Sequence, residues 1–229
     1  MKFNRVRRAP AIVATAVLIV GVAACAAIVA SGGPPAAAPP PAPAGPGPPP
    51  IGDTGANLQV VFETEVNARQ HYLLAARIAE FENYPAVARL FRACAAAEQV
   101  HADRAVQAIA WTSGAEAHAA LGRPIGGTTR ELLEMAIADE QYQVEQFYPP
   151  LIARARAEHR AMAVRSLVFA LATERQHQRL LSAAQAGLTL GASGTPLFVC
   201  PYCGRTVERV DFTKCPNCFT PASKFIRVT

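Results

Sequence analysis

LFRACAAAEQVH (90–101) and LATERQH (171–177) each close on a glutamate followed three residues later by a histidine. Residues three apart on a helix share a face, so Glu98 projects with His101 and Glu174 with His177. That face is apolar: Phe91, Cys94 and Ala105 flank Glu98, and Leu167, Ala170, Leu171 and Leu181 flank Glu174. Two further glutamates interrupt apolar seams. Val61, Phe62, Ala68 and Tyr72 surround Glu65 at helical spacing, and Leu133, Ala136, Ile137 and Phe147 surround Glu140. Glu98 follows Glu65 by 33 residues and Glu174 follows Glu140 by 34, so the body reads as two copies of one helix pair.

These seams predict an all-α four-helix bundle over residues 57–190, rich in Ala, Leu, Arg, Gln and Glu and without strand-like alternation. Asn83-Tyr84-Pro85 separates the first two helices, and a Gly-rich stretch from Thr112 to Thr128 supplies a long crossover. Pro149-Pro150 either ends or kinks the third helix, and the last turn is expected near Glu158–Arg160. Four inward carboxylates would destabilise an apolar core unless a cation lies between them. Two divalent metals carry +4 against the −4 of Glu65, Glu98, Glu140 and Glu174. His101 and His177 complete a mixed oxygen and nitrogen set suited to iron or manganese. This is the di-metal carboxylate pattern of ferritin-like bundles.

Residues 196–229 carry Cys200-Pro-Tyr-Cys203 and Cys215-Pro-Asn-Cys218. Two such knuckles set four thiolates, Cys200, Cys203, Cys215 and Cys218, around one zinc or iron, and so short a module needs the metal as its core. Phe198, Tyr202, Phe212, Phe219 and Phe225 are expected to pack around it. The remaining cysteines are Cys25 and Cys94, so the chain is not a disulfide scaffold.

The N-terminal end differs in kind. Lys2, Arg5, Arg7 and Arg8 precede an uncharged run at 11–30, long enough to cross a bilayer. Residues 1–30 therefore read as a basic flank and membrane anchor with the folded part extracytoplasmic, periplasmic or at the cell surface. A lipoprotein processed at Cys25 and a secreted form are the alternatives. Residues 31–56 form a Pro/Ala/Gly-rich spacer. The first fifty residues hold four of the 22 Lys and Arg and none of the 17 Asp and Glu, so the net charge of +5 belongs chiefly to this end. The rest is nearly neutral, which argues against a nucleic-acid partner.

From Asn57 onward the chain resembles the rubrerythrin family, in NLQVVFETEVNARQHY, LFRACAAAEQVH, ADEQYQVEQFYP, LATERQH and VCPYCGRTVERVDFTKCPNCFTPASKF. The resemblance implies a ferritin-like di-iron domain with a rubredoxin-like tail. Two Fe ions would be held by Glu65, Glu98, His101, Glu140, Glu174 and His177, and one Fe, alternatively Zn, by the four cysteines. It implies reduction of hydrogen peroxide by electrons relayed through the four-cysteine iron from an electron donor protein or reductase. It also implies a homodimer in which one chain's tail approaches the other's di-iron site. Tyr72 and Tyr148 fall on tyrosines expected to hydrogen-bond the ligand carboxylates.

Two departures stand out. Gln143 replaces a further family glutamate, which favours as an alternative a ferroxidase or O2-reducing di-iron protein. Phe219 follows the second knuckle where glycine is common. Another alternative is a non-catalytic metal-binding module with a structural zinc ribbon. Glu145, five positions beyond Glu140, is expected to turn away from the site. Cys94 reads as a core residue, His71, His118 and His159 as surface or loop residues, and Trp111 and Met162 as packing residues.

Overall fold

The computed structural model describes residues 51–189 and 194–229. The predicted anchor, the lipoprotein cysteine Cys25 and most of the spacer lie outside them. No helix among the described residues is long and apolar enough to cross a membrane.

The helix α1 (Thr54–Phe81) begins three residues inside the stretch predicted as spacer. Its start is set locally. The Asp53 carboxylate accepts from the Ala56 N–H at 2.8 Å, and the Asn57 amide accepts from the Gly52 N–H at 2.9 Å. After a turn at Asn83, α2 (Pro85–Ser113) opens on a proline, which has no N–H to leave unsatisfied, and closes on Gly114 at φ 67°. Residues 114–128 carry no regular structure and run along α1. There the Asn67 amide binds the Gly122 N–H and the Ala120 carbonyl, while Gln59 binds Glu116 and His118.

A capping box between Thr128 and Glu131 starts α3 (Thr129–Tyr142). A π-helical turn, Gln143–Phe147, leads directly into α4 (Tyr148–Ala157). Pro149 and Pro150 thus lie within a continuing helix rather than ending it. They offer no N–H to the preceding turn and crowd its carbonyls, and the wider π turn falls where that strain arises. The turn at Glu158–Arg160 then leads to α5 (Ala161–Ala186).

Two apolar clusters fill the bundle. One joins Tyr72, Ala79, Phe91, Cys94, Leu133 and Leu181; the other joins Leu58, Val61, Ile109, Tyr148, Leu151 and Leu167. The C-terminal module is a small antiparallel sheet in the order β2 (Thr206–Val207), β1 (Leu197–Val199), β3 (Ile226–Val228). Phe198 pairs with both Val207 and Arg227. Leu197 and Val199 of β1 join the first bundle cluster, so the module packs against the bundle of its own chain.

Candidate metal centres

Glu65 from α1, Glu98 and His101 from α2, Glu140 from α3, and Glu174 and His177 from α5 meet inside the bundle, all buried. They form two overlapping groups. Glu65, Glu98, His101 and Glu174 bring ligand atoms together in one, and Glu98, Glu140, Glu174 and His177 in the other. His101 Nδ1 lies 2.9 Å from Glu98, 3.0 Å from Glu174 and 3.7 Å from Glu65. His177 Nδ1 lies 3.1 Å from Glu174, 3.2 Å from Glu140 and 3.3 Å from Glu98. Glu98 and Glu174 therefore face both histidines, whereas Glu65 and Glu140 each face one. Two cations held there would share two bridging carboxylates, and each would add one glutamate and one histidine.

The electrostatics fit such an occupant. Burial raises the Glu65 carboxyl to about 8 against the lowering contact with His101, and raises Glu140 well above the carboxylate range. Glu98 is instead lowered, because its close contacts with His101 and His177 outweigh its burial. Burial opposes charge on both histidines, but Glu174, Glu65 and Glu98 around His101, and Cys94, Glu140 and Glu174 around His177, hold them well above the imidazole range. Glu65 Oε2, Glu98 Oε1, Glu140 Oε2, both Glu174 oxygens and His177 Nδ1 are buried without hydrogen-bond partners. Such a set of inward lone pairs is costly in any role but ligation.

Both predicted tyrosines sit at this cluster. The Tyr72 hydroxyl donates to Glu140 and the Tyr148 hydroxyl donates to Glu65. Each ties a carboxylate of one helix pair to the other pair. Burial and the neighbouring carboxylates raise both phenols well above their usual value, so they remain donors.

The four module cysteines form the second centre. Cys200 and Cys218 sulfurs lie 3.5 Å apart and those of Cys203 and Cys215 lie 3.6 Å apart. A tetrahedron with metal–sulfur bonds of about 2.3 Å has edges of roughly 3.8 Å, so the spacing matches. Each knuckle is closed by backbone bonds: Gly204 N–H to Cys200 O at 3.0 Å, and Phe219 N–H to Cys215 O at 2.9 Å. The contact with Cys203 lowers the Cys200 thiol to about 5, while burial raises Cys215. Four thiolates in this space need a cation.

The two centres touch. Gly204 is seated so closely on His101 that an added Cβ would clash with the Nε2 edge of the imidazole, with Cδ2 only 3.0 Å away. His177 Nε2 lies 3.2 Å from Thr206 Oγ1, which itself donates to the Gly204 carbonyl at 3.0 Å. Thr206 can therefore accept from His177 Nε2–H, so that a cation in the cluster would take Nδ1 as its ligand atom. Thr173 on α5 donates to the Cys203 carbonyl at 2.9 Å, and the Arg104 guanidinium lies 4.2 Å from the Tyr202 ring centroid. Gly204, Thr206, Thr173 and Arg104 were not singled out in the sequence. Only Gly204 carried a signal, its place directly after a knuckle.

The rubrerythrin family model matches residues 56–185. The chain belongs to the rubrerythrin family. It is 29% identical to Rubrerythrin-2 of Clostridium acetobutylicum over 73% of this chain and 92% of that protein. It is also 29% identical to nigerythrin of Nitratidesulfovibrio vulgaris, over 76% of this chain and 86% of the other. A structure of nigerythrin in its fully reduced, all-ferrous state superposes with a TM-score of 0.72 at 28% identity, covering 79% of this chain and 89% of that one. Membership establishes the ferritin-like bundle with its rubredoxin-like tail and makes the chain a rubrerythrin-type oxidoreductase. Within this chain the tail lies against the chain's own bundle centre.

The remaining expectations divide. Cys94 is fully buried in the core, and its thiol is raised by burial. Glu145 points away and accepts from Gln141 at 3.1 Å. His118 and His159 are exposed, but His71 is half-buried and lines a cavity. Trp111 is 77% exposed and Phe219 is 73% exposed, so neither packs as predicted; Met162 is half-buried. Phe212 and Phe225 do stack, at 5.2 Å. Gln143 is buried, with Oε1 unpartnered.

Proposed function

We propose that this rubrerythrin-family chain is a di-iron peroxidase that reduces hydrogen peroxide to water and is refilled through an iron in its own four-cysteine centre. The observation that carries this reading is the Gly204–His101 contact, which brings the two candidate centres together without intervening solvent. Iron bound by the six bundle ligands would supply two electrons to the O–O bond, as H2O2 + 2 e⁻ + 2 H⁺ → 2 H2O.

The chain's own residues set the conditions. Glu98 and Glu174, common to both ligand groups, would help to hold each of two cations. Tyr72 and Tyr148 fix Glu140 and Glu65 by donating to one oxygen of each and leaving the other free. Thr206 fixes the His177 tautomer. The flanking apolar clusters exclude water, so the protons enter at defined polar atoms rather than from bulk solvent. Iron held by Cys200, Cys203, Cys215 and Cys218 would supply electrons one at a time, Gly204 and Thr206 being the residues that join the module to the bundle histidines, and an external donor protein or reductase would replenish it. A homodimer would carry two complete copies of this path. The segment at 11–30 tethers the folded part outside the cytoplasm, with the proline-rich stretch before Asp53 as its spacer.

Neutral Gln143 supports a second reading, an O2-reducing ferroxidase. Peroxide consumption by iron-loaded protein with a reductant, compared with O2 consumption, separates the two. The peroxidase reading expects peroxide to be the faster oxidant and Glu98→Ala to abolish turnover. A wild-type rate no faster than that of Glu98→Ala overturns it.

A further inference from the structure

The guanidinium of Arg104 is a buried cation that neither ligand set explains. Arg104 lies on α2 one turn beyond His101, is 6% exposed, and has its Nε buried without a hydrogen-bond partner. None of the ion pairs among the described residues involves it. Arginine stays protonated in proteins, so its burial is not relieved by losing the charge. A cation taken out of water calls for negative charge nearby.

Two rings receive it. The guanidinium carbon lies 4.2 Å from the Tyr202 ring centroid and 5.5 Å from that of Phe169, and the two rings meet edge to face with centroids 6.0 Å apart. Ring faces offset only part of the cost of burying a full charge. Both rings lead to the four-cysteine centre. Tyr202 stands between Cys200 and Cys203 in the first knuckle, and Phe169 packs against Cys200, Cys203 and Cys215. Gly204 rests on His101 and Tyr202 on Arg104, so successive turns of α2 carry the same knuckle.

We infer that Arg104 is the counter-charge of the four-cysteine centre, a positioning residue that seats the first knuckle through Tyr202 and favours the reduced form of an iron held there. This role rests on the iron reading of that centre given above. Four thiolates with ferric iron carry −1, and one electron from the external donor takes them to −2 with no bond or proton exchanged. A fixed positive charge stabilises the dianion more than the monoanion, which raises the reduction potential. The module then accepts electrons from outside more readily.

The test is a redox titration of full-chain, iron-replete protein, with the visible absorption of the ferric four-cysteine site as the signal. Arg104→Met keeps an apolar stem and removes the charge. It should lower the ratio of reduced to oxidised centre at a fixed potential about tenfold, or about 59 mV for one electron, and Arg104→Lys should restore most of the loss. A module merely loosened from the bundle would gain water, which favours the more highly charged form and raises the potential. The sign of the shift thus separates a counter-charge from a packing role. Arg104→Gln gives the same downward shift should the methionine variant fail to fold. An unchanged or raised potential in the neutral variants overturns the inference. If the cysteines accept only zinc, the iron reading falls, and the counter-charge is read instead on the zinc-filled centre, which also carries −2. Arg104→Met should then bind zinc about tenfold more weakly in competition with a chelator than either the wild type or Arg104→Lys, and equal affinities overturn the inference.

Discussion

The two cysteine knuckles share one backbone design but face different surroundings. In each, the residue after the second cysteine takes a left-handed conformation, φ 78° at Gly204 and φ 62° at Phe219, and its N–H closes the turn onto the first cysteine. Gly204 is buried against His101, while Phe219 is largely exposed. The left-handed turn costs a side chain only about 1–2 kcal/mol, which the second knuckle tolerates. The first knuckle cannot accept a side chain, because the space is filled by the imidazole of His101. A glycine that sequence alone marks as a turn residue is thus fixed by the contact between two centres.

Exchanging the residues breaks the comparison most severely. Gly204→Phe should drive the module off the bundle and slow electron delivery from the cysteine site by about a hundredfold or more, with Gly204→Ala intermediate. Single-turnover kinetics on protein with both centres loaded would show this. Retained rates would mean that the knuckle contact is not the path. Thr206→Val tests the neighbouring contact. It removes the acceptor for His177 Nε2–H, so bundle metal affinity or activity should fall about tenfold. Competition with a chelator measures it, and Thr206→Ser should restore most of the loss. The smallest effect is expected at the exposed knuckle. Phe219→Gly should stabilise the module by about 1 kcal/mol by relieving the left-handed turn, seen as slower loss of the cysteine-bound metal to chelator and no change in the bundle.

Much of this was legible beforehand, and the reason is local. Glu98 with His101, and Glu174 with His177, lie one turn apart on single helices, and each Cys-x-x-Cys lies within one turn. Their chemistry shows in spacing. Glu65 and Glu140 were legible because a charge on an apolar seam is costly. What tertiary contact decides was not. Thr206 gave no hint that it would meet His177, and Phe219 and Trp111 looked like packing residues until their surroundings were known. The π turn at Gln143–Phe147 was hidden because helical periodicity continues on both sides of it. The start of α1 at Thr54 was masked by the proline-rich composition before it, although Asp53 is an N-cap of ordinary type.

Whether an iron-loaded cysteine module serves the metal pair of its own chain is decided by rapid mixing. Fully reduced, iron-replete protein is mixed with hydrogen peroxide while the visible absorption of the ferric four-cysteine site is followed. The account predicts oxidation of that site within the first turnovers, at a rate independent of protein concentration and lost in Glu98→Ala. Zinc in the cysteine site, a rate proportional to protein concentration, or oxidation that persists without the bundle metals would contradict it.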